Sequence, residues 1–213
     1  MKIKWLGHAT FLITSESGTR IITDPLAPAK DLHYDELNEA ADIVTISHNH
    51  FDHCNVDAVS GNPEVVNSTA RVKGIEFRGI ASYHDDAFGQ KRGNNTIFCF
   101  DIDGVKVCHL GDLGHILNDR QIAEIGKVDV LLIPVGGFFT IDARTAGKVC
   151  EQLQPGMIIP MHFKNEKCDF PISGVDEFLS GKRNINQPDS SEAEFKAGEL
   201  PAEIQITVLK PAL

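Results

Sequence analysis

The sequence predicts an α/β (α+β) fold dominated by strands, and three observations predict it. Short β-branched and aromatic runs recur along the first half, separated by turn signals. In the last third, continuous apolar runs alternate with amphipathic helical patterns. Hydrophobic residues make up 42% and charged residues 23% of the chain, an ordinary balance for a globular protein. The 213 residues suffice for a sizeable core. No repeat, low-complexity tract or linker interrupts them, so a single domain over 1–213 is expected.

The elements follow in order. "KIKWL" and "TFLITS" carry strand-forming residues, and "ESG" is a turn before a third strand in "TRIITDP". Asp24-Pro25 ends that strand, because proline cannot continue a central ladder. "YDELNEA" is expected as a short helix. "ADIVTIS" is a buried strand that runs directly into "HNHFDH", residues 48–53, which therefore lies on the loop at a strand's carboxyl end. "EVVN" and "GIEFRGIASYH" are further strands. "NTIFCFDIDGVKVCHLGD" is a hairpin about Asp103-Gly104. Asn118 with Gln121 forms a capping box that opens a helix with Ile122 and Ile125 inward, and Gly126 ends it. "VDVLLIPV" is a buried strand. From the N-cap Asp142, Ala146, Val149, Cys150 and Leu153 fall on one helical face, and Pro155-Gly156 stops that helix. "MIIPMH" is a strand ending at His162, and "EIQITVLK" a last strand at a sheet edge. The polar stretch 181–203 between them is expected as a surface excursion.

The formal net charge of −10 argues against an extended nucleic-acid or anionic-membrane surface, though not against one small basic pocket. Five cysteines lack paired spacing, which suits reduced thiols in a cytoplasmic protein. No apolar run reaches transmembrane length, and the first residues carry no signal-peptide pattern. The expected partner is a small-molecule substrate; a homo-oligomer is left open.

His48, His84, Asp112 and His162 each lie just past an apolar strand, so strand ends on one rim of a sandwich can bring them together. Imidazole nitrogens and carboxylate oxygens are ligands for zinc and its transition-series neighbours. His48 and His50, two residues apart, could face one metal; Asp52 and His53 could serve a second. Two metals ~3.5–4 Å apart need a bridging carboxylate, and Asp112 could supply it. His109 in mid-strand and His33 are expected to be hydrogen-bonded core residues instead.

"HNHFDH" resembles the signature of the metallo-β-lactamase superfamily. "TDP" at 23–25 resembles its early aspartate motif, and "YHDDAFGQKRGNN", "HLGDLGH" and "LLIPVGG…IIPMHF" resemble its later segments in the correct order. The nearest branch is that of metal-dependent hydrolases related to sugar-lactone lactonases and phospholipase-D-type phosphodiesterases. The resemblance implies a four-layer αββα sandwich with two divalent metals on one rim, zinc by default, with manganese, nickel or iron as alternatives. It implies His48, His50 and His84 on one metal, Asp52, His53 and His162 on the other, Asp112 bridging, and Asp24 ordering the site from beneath. Antibiotic-degrading members lack that bridging aspartate, and flavin-linked di-iron members carry glutamate in place of His50. Transfer-RNA-processing members add a substrate arm that has no counterpart here.

The expected function is thus a metal-dependent hydrolase using a metal-bridging hydroxide on a phosphodiester, lactone or related ester, with Asp52 as orienting base. The alternative is a metal-binding or interaction module without turnover. His8, His115 and Asp85 are candidates to protonate the leaving group; His8 could also be a ligand or a turn residue. Arg92 and Asn95 are candidates to bind a substrate anion or to stabilise a turn.

Overall fold

A computed structural model describes residues 1–201 and 203–213. Six strands form one sheet: β1 (Lys2–Gly7), β2 (Thr10–Thr14), β3 (Arg20–Thr23), β4 (Ile43–Thr45), β5 (Glu64–Val66) and, far along the chain, β13 (Glu192–Glu194). Their order is β13-β1-β2-β3-β4-β5. Eight form the other: β6 (Ala70–Val72), β7 (Ile75–Tyr83), β8 (Asn94–Ile102), β9 (Val105–His109), β10 (Val130–Pro134), β11 (Met157–Met161), β12 (Ile185–Asn186) and β14 (Gln205–Thr207). These run in the order β12-β14-β11-β10-β9-β8-β7-β6.

The two sheets face each other over one core. Trp5, Phe11, Ile13 and Ile21 from the first meet Phe77, Phe98, Phe100, Val107 and Leu131 from the second in a single buried cluster. Strands β9, β10 and β11 are parallel, so each connection must cross a sheet face, and helices do this. Helix α1 (Asp119–Ile125) links β9 to β10, and α2 (Ala143–Leu153) links β10 to β11. The capping box of α1 is present as expected, with Gly126 at its end. Helix α2 starts at Asp142 and buries Ala146, Val149, Cys150 and Leu153, the predicted face. A short α3 (Val175–Leu179), which the sequence pattern did not announce, packs with α2.

Three expectations are corrected. Residues 34–40 form no helix. The outer face of the six-stranded sheet is instead covered by irregular chain: Leu37, Ala41 and Val59 pack on Leu6, Leu12, Ile22 and Val44. Tyr34 lies against Gly7, and Glu39 is drawn out to pair with Lys4 and Arg20, so tertiary contacts outweigh the local helix propensity. Strand β14 is not an edge; the two-residue β12 lies outside it. The 181–203 stretch is largely exposed but supplies an outer strand to each sheet, β12 and β13; residue 202 at its end lies outside the described residues. The five cysteines are all free.

The topology decides where the candidate site lies. β1 and β3 are both antiparallel to β2, and β4 is parallel to β3. Their carboxyl ends therefore share one rim. β7 and β9 are both antiparallel to β8, and β11 shares the direction of β9. Their carboxyl ends share a rim as well. Backbone bonds stitch the two rims together: His162 N–H donates to His8 O at 3.1 Å, and Thr96 N–H to Ser47 O at 2.9 Å.

Candidate metal centre

Six strand ends deliver the site. His8 follows β1, Asp24 follows β3, Ser47 and His48 follow β4, His84 follows β7, Asp112 lies three residues past β9, and His162 follows β11. Three of these residues turn the chain sharply: His8, Asp24 and His162 have φ of 51°, 38° and 50°. That left-handed region is uncommon for any residue but glycine. Gly111, at φ 54°, precedes Asp112, and a Cβ there would meet Asn95 Oδ1 at 2.4 Å.

Asp24 organises the floor. Its Oδ1 accepts Ser47 N–H at 2.7 Å, and its Oδ2 accepts both Ser47 Oγ–H and, at 3.0 Å, His53 Nδ1–H. The Ser47 hydroxyl is thereby oriented to accept from His48 Nδ1, 2.9 Å away. With Nδ1 engaged below in each ring, Nε2 is the nitrogen turned towards Asp112 in both imidazoles. This is the outer-shell arrangement that fixes the tautomer of metal-binding histidines. The role of Ser47 was not anticipated; its only sequence signal is its place directly before "HNHFDH".

Asp112 lies at the centre. Its Oδ2 is 3.1 Å from His84 Nε2, 3.3 Å from His53 Nε2, 3.3 Å from His162 Nε2 and 3.9 Å from His48 Nε2. Around it, ligand atoms fall into two groups, each within 4.8 Å: His48, His50 and His84, and His8, Asp52, His53 and His162. The carboxylate thus touches two histidines of each group. A third group, Asp24 with His48 and His53, is already satisfied by the bonds just described.

The electrostatics fit bound cations. Burial and the neighbouring His53 push His48 down to about 3, so its imidazole is neutral and available as a ligand. Burial opposes charge on His53, yet Asp112, Asp24 and Asp52 around it raise its pKa well above the ordinary value. Burial opposes ionisation of Asp52, but His8 and His53 hold its carboxyl well below the usual range. Three nearly buried carboxylates therefore converge and call for positive charge. His48 Nε2, His53 Nε2 and Asp112 Oδ1 are buried with no hydrogen-bond partner among the described residues. Buried polar atoms without partners are costly, and divalent metals between the two groups would satisfy them.

The other candidates divide. His8 is brought to the site: its Nε2 is 3.1 Å from Asp52 Oδ2, and its ring lies 3.9 Å from that of His162. His115 is not available as a proton donor. Its Nε2 accepts Tyr83 N–H at 3.2 Å, and its Nδ1–H donates to Ile116 O at 2.8 Å. Asp85 is no proton donor either. Burial raises its carboxyl, but the N–H groups of Ala87, Gly89, Lys91 and Arg92 more than offset this and hold it at about 2. Asn95 does not face substrate: its amide donates to Ser82 Oγ and Leu110 O, and its carbonyl accepts Asp112 N–H at 3.0 Å. It positions Asp112 from behind. Arg92 lines the cleft beside His50, Asp52 and His84. His109 is a buried core residue bonded to Ala9 O, whereas His33 is exposed, not core, and pairs with Asp169.

Comparison with known proteins agrees with this geometry. A family model described as a β-lactamase superfamily domain matches residues 2–162. The chain belongs to the metallo-β-lactamase superfamily. Among its relatives is a UPF0173 metal-dependent hydrolase of Carboxydothermus hydrogenoformans, 30% identical over 83% of this chain and 88% of the relative. Another from Archaeoglobus fulgidus is 27% identical over 99% of this chain and 96% of its own. A solved structure from Thermotoga maritima, a candidate zinc-dependent hydrolase of the superfamily, superposes with a TM-score of 0.80 at 38% identity. The match covers 98% of this chain and 97% of that one. The expected sandwich of two β-sheets is thus borne out, with its helices on the eight-stranded side and irregular chain with one 3₁₀ turn (Val56–Ala58) over the other. No helix among the described residues is long and apolar enough to cross a membrane.

Proposed function

We propose that the chain is a dinuclear metal-dependent hydrolase of small phosphodiester, lactone or related ester substrates. The observation that carries this reading is Asp112 Oδ2 among four imidazole Nε2 atoms, two from each cluster. His48, His50 and His84 would hold one ion, and Asp52, His53 and His162 the other, with Asp112 shared. Zinc is the default for such a set, and manganese, nickel or iron suit it too. When bound, these ions would lower the pKa of a coordinated water to ~7 and offset charge developing on the substrate oxygen.

The chain's own residues supply the rest. Asp24 and Ser47 keep His48 and His53 in one tautomer. Asp52 is held ionised and would take the proton of the attacking water, while His8 Nε2, 3.1 Å from its Oδ2, orients the carboxylate. A cavity of about 390 Å³ over Asp52, His84 and Asp112 leaves room for a small substrate. The relatives' description as metal-dependent hydrolases supports the same reading.

Elemental analysis after reconstitution should find two ions per chain; fewer than one would sink the proposal. A screen of lactones, thioesters and phosphodiesters under zinc, manganese, nickel and iron should show turnover. Full metal content with no turnover of any ester would instead favour a binding module.

A further inference from the structure

Two cavities meet beside the candidate metal centre. The first, about 390 Å³, has Asp52, His84 and Asp112 in its lining. The second, about 690 Å³, includes Phe138, Thr140 and Lys148. His84, Lys91, Arg92 and Phe139 line both. A ligand that reacts over the first cavity would therefore extend past Arg92 into the second.

The two cations at this junction differ. Lys91 Nζ is taken by Asp86 at 2.7 Å. The Arg92 guanidinium has no carboxylate within 4 Å and no hydrogen-bond acceptor among the described residues. It lies over aromatic faces instead, 5.3 Å from the Phe139 ring centre and 5.9 Å from that of Phe138. Its backbone is fixed, because Arg92 N–H donates to Asp85 Oδ2 at 2.8 Å, and Asp85 adjoins His84. The charge is thus held at a set position beside the reacting site, with its N–H groups uncommitted.

We propose that Arg92 with Phe138 and Phe139 forms a subsite for an anionic ester bearing a flat apolar substituent, so that the substrate is an aryl- or base-substituted phosphodiester and not a neutral lactone. This rests on the hydrolase reading above. A guanidinium presents paired donors that match two phosphoryl oxygens. The aromatic faces carry the cation and offer a surface for the substituent. A role confined to holding the 85–92 loop against Phe138 and Phe139 would make no distinction between anionic and neutral ligands.

The test uses the zinc-loaded protein. Calorimetry with phenylphosphonate should show binding that Arg92→Ala weakens about tenfold or more, the scale of a hydrogen bond to a charged group. Arg92→Lys should fall between the two, and zinc content should not change. With bis(4-nitrophenyl) phosphate, Arg92→Ala should raise KM by about tenfold or more and alter kcat by less than about threefold, as for lost uniform binding. With 4-nitrophenyl acetate, KM should stay within about twofold, because no charged contact is lost. Equal phenylphosphonate affinity in wild type and Arg92→Ala would overturn the subsite, as would parallel KM changes for both esters or no phenylphosphonate binding at all. Arg92-dependent binding without turnover of any ester would support the subsite and overturn only the hydrolase reading.

Discussion

The floor and the mouth of the cleft are built on opposite principles. On the floor, Asp24, His53, Asp112 and His162 are at most 2% exposed, and Asp24 and Asp112 are tied to Ser47, His53 and Asn95. At the mouth, Phe51 and Phe138 are 54% and 61% exposed, and Arg92 has its donors free. A change on the floor leaves a buried charge or an unpaired nitrogen. A change at the mouth leaves the fold intact. On the proposed hydrolase reading, the floor would fix what kind of bond can be broken, and the mouth would select which molecule presents it.

The largest effect expected is at the centre of the floor. Asp112→Asn removes the shared charge and turns an N–H donor towards imidazole nitrogens. Elemental analysis should find at least one ion lost per chain, and turnover should fall below detection. A variant that kept both ions and most of its activity would remove Asp112 from the bridging role. His8→Ala should lower kcat by roughly 10²–10⁴-fold with the circular-dichroism spectrum unchanged. Metal content separates its roles: loss of an ion marks a ligand, whereas retention marks a residue acting through Asp52. Near-wild-type kcat would reduce His8 to a turn residue.

One layer further down the effect is smaller. Asp24→Asn should weaken metal affinity by about 10–100-fold, the usual range for outer-shell partners of ligating histidines, as read by competition with a chelator. Unchanged affinity would show that packing alone orients His48 and His53.

The mouth should respond to pH where the floor does not decide. Asp85 is held at about 2 against an ordinary 3.8. A lowered carboxyl pKa contributes stability that is full above the ordinary value and is lost as pH falls through the lowered one. Hydrogen exchange at Ala87, Gly89, Lys91 and Arg92 should therefore lose protection between about pH 4 and pH 2. Asp85→Asn should show that loss already at pH 5, and identical protection in the variant would contradict it. The smallest effect belongs to Phe138→Ser, which should shift stability by no more than about 0.5 kcal/mol in a denaturant titration.

The same contrast marks what the sequence made legible. An apolar run ending in histidine or aspartate shows both the strand and its polar end, so His48, His84, Asp112 and His162 could be placed on one rim before any coordinates. The face of α2 was equally open, because its period lies within eleven residues. His115, Asp85 and Asn95 were not legible. Each is a polar residue near the motifs; His115 and Asn95 are engaged partly by residues distant in the chain and Asp85 by N–H groups of its own loop, so only the folded backbone reveals that these hydrogen bonds are spent. The missing helix at 34–40 has the same origin, since Tyr34, Leu37 and Glu39 answer to distant residues. Strand β12, at two residues, is too short to carry any pattern.

His8, Asp24 and His162 all sit at positive φ. Glycine would rest more easily at each place, by roughly 1 kcal/mol in backbone terms alone. Selection on backbone ease alone would thus drift towards glycine at positions 8, 24 and 162. That drift would relax three corners and strip the rim of the imidazoles and the carboxylate that pair across it. These three corners are where the chain forgoes robustness for chemistry, and a stabilising library should leave them untouched.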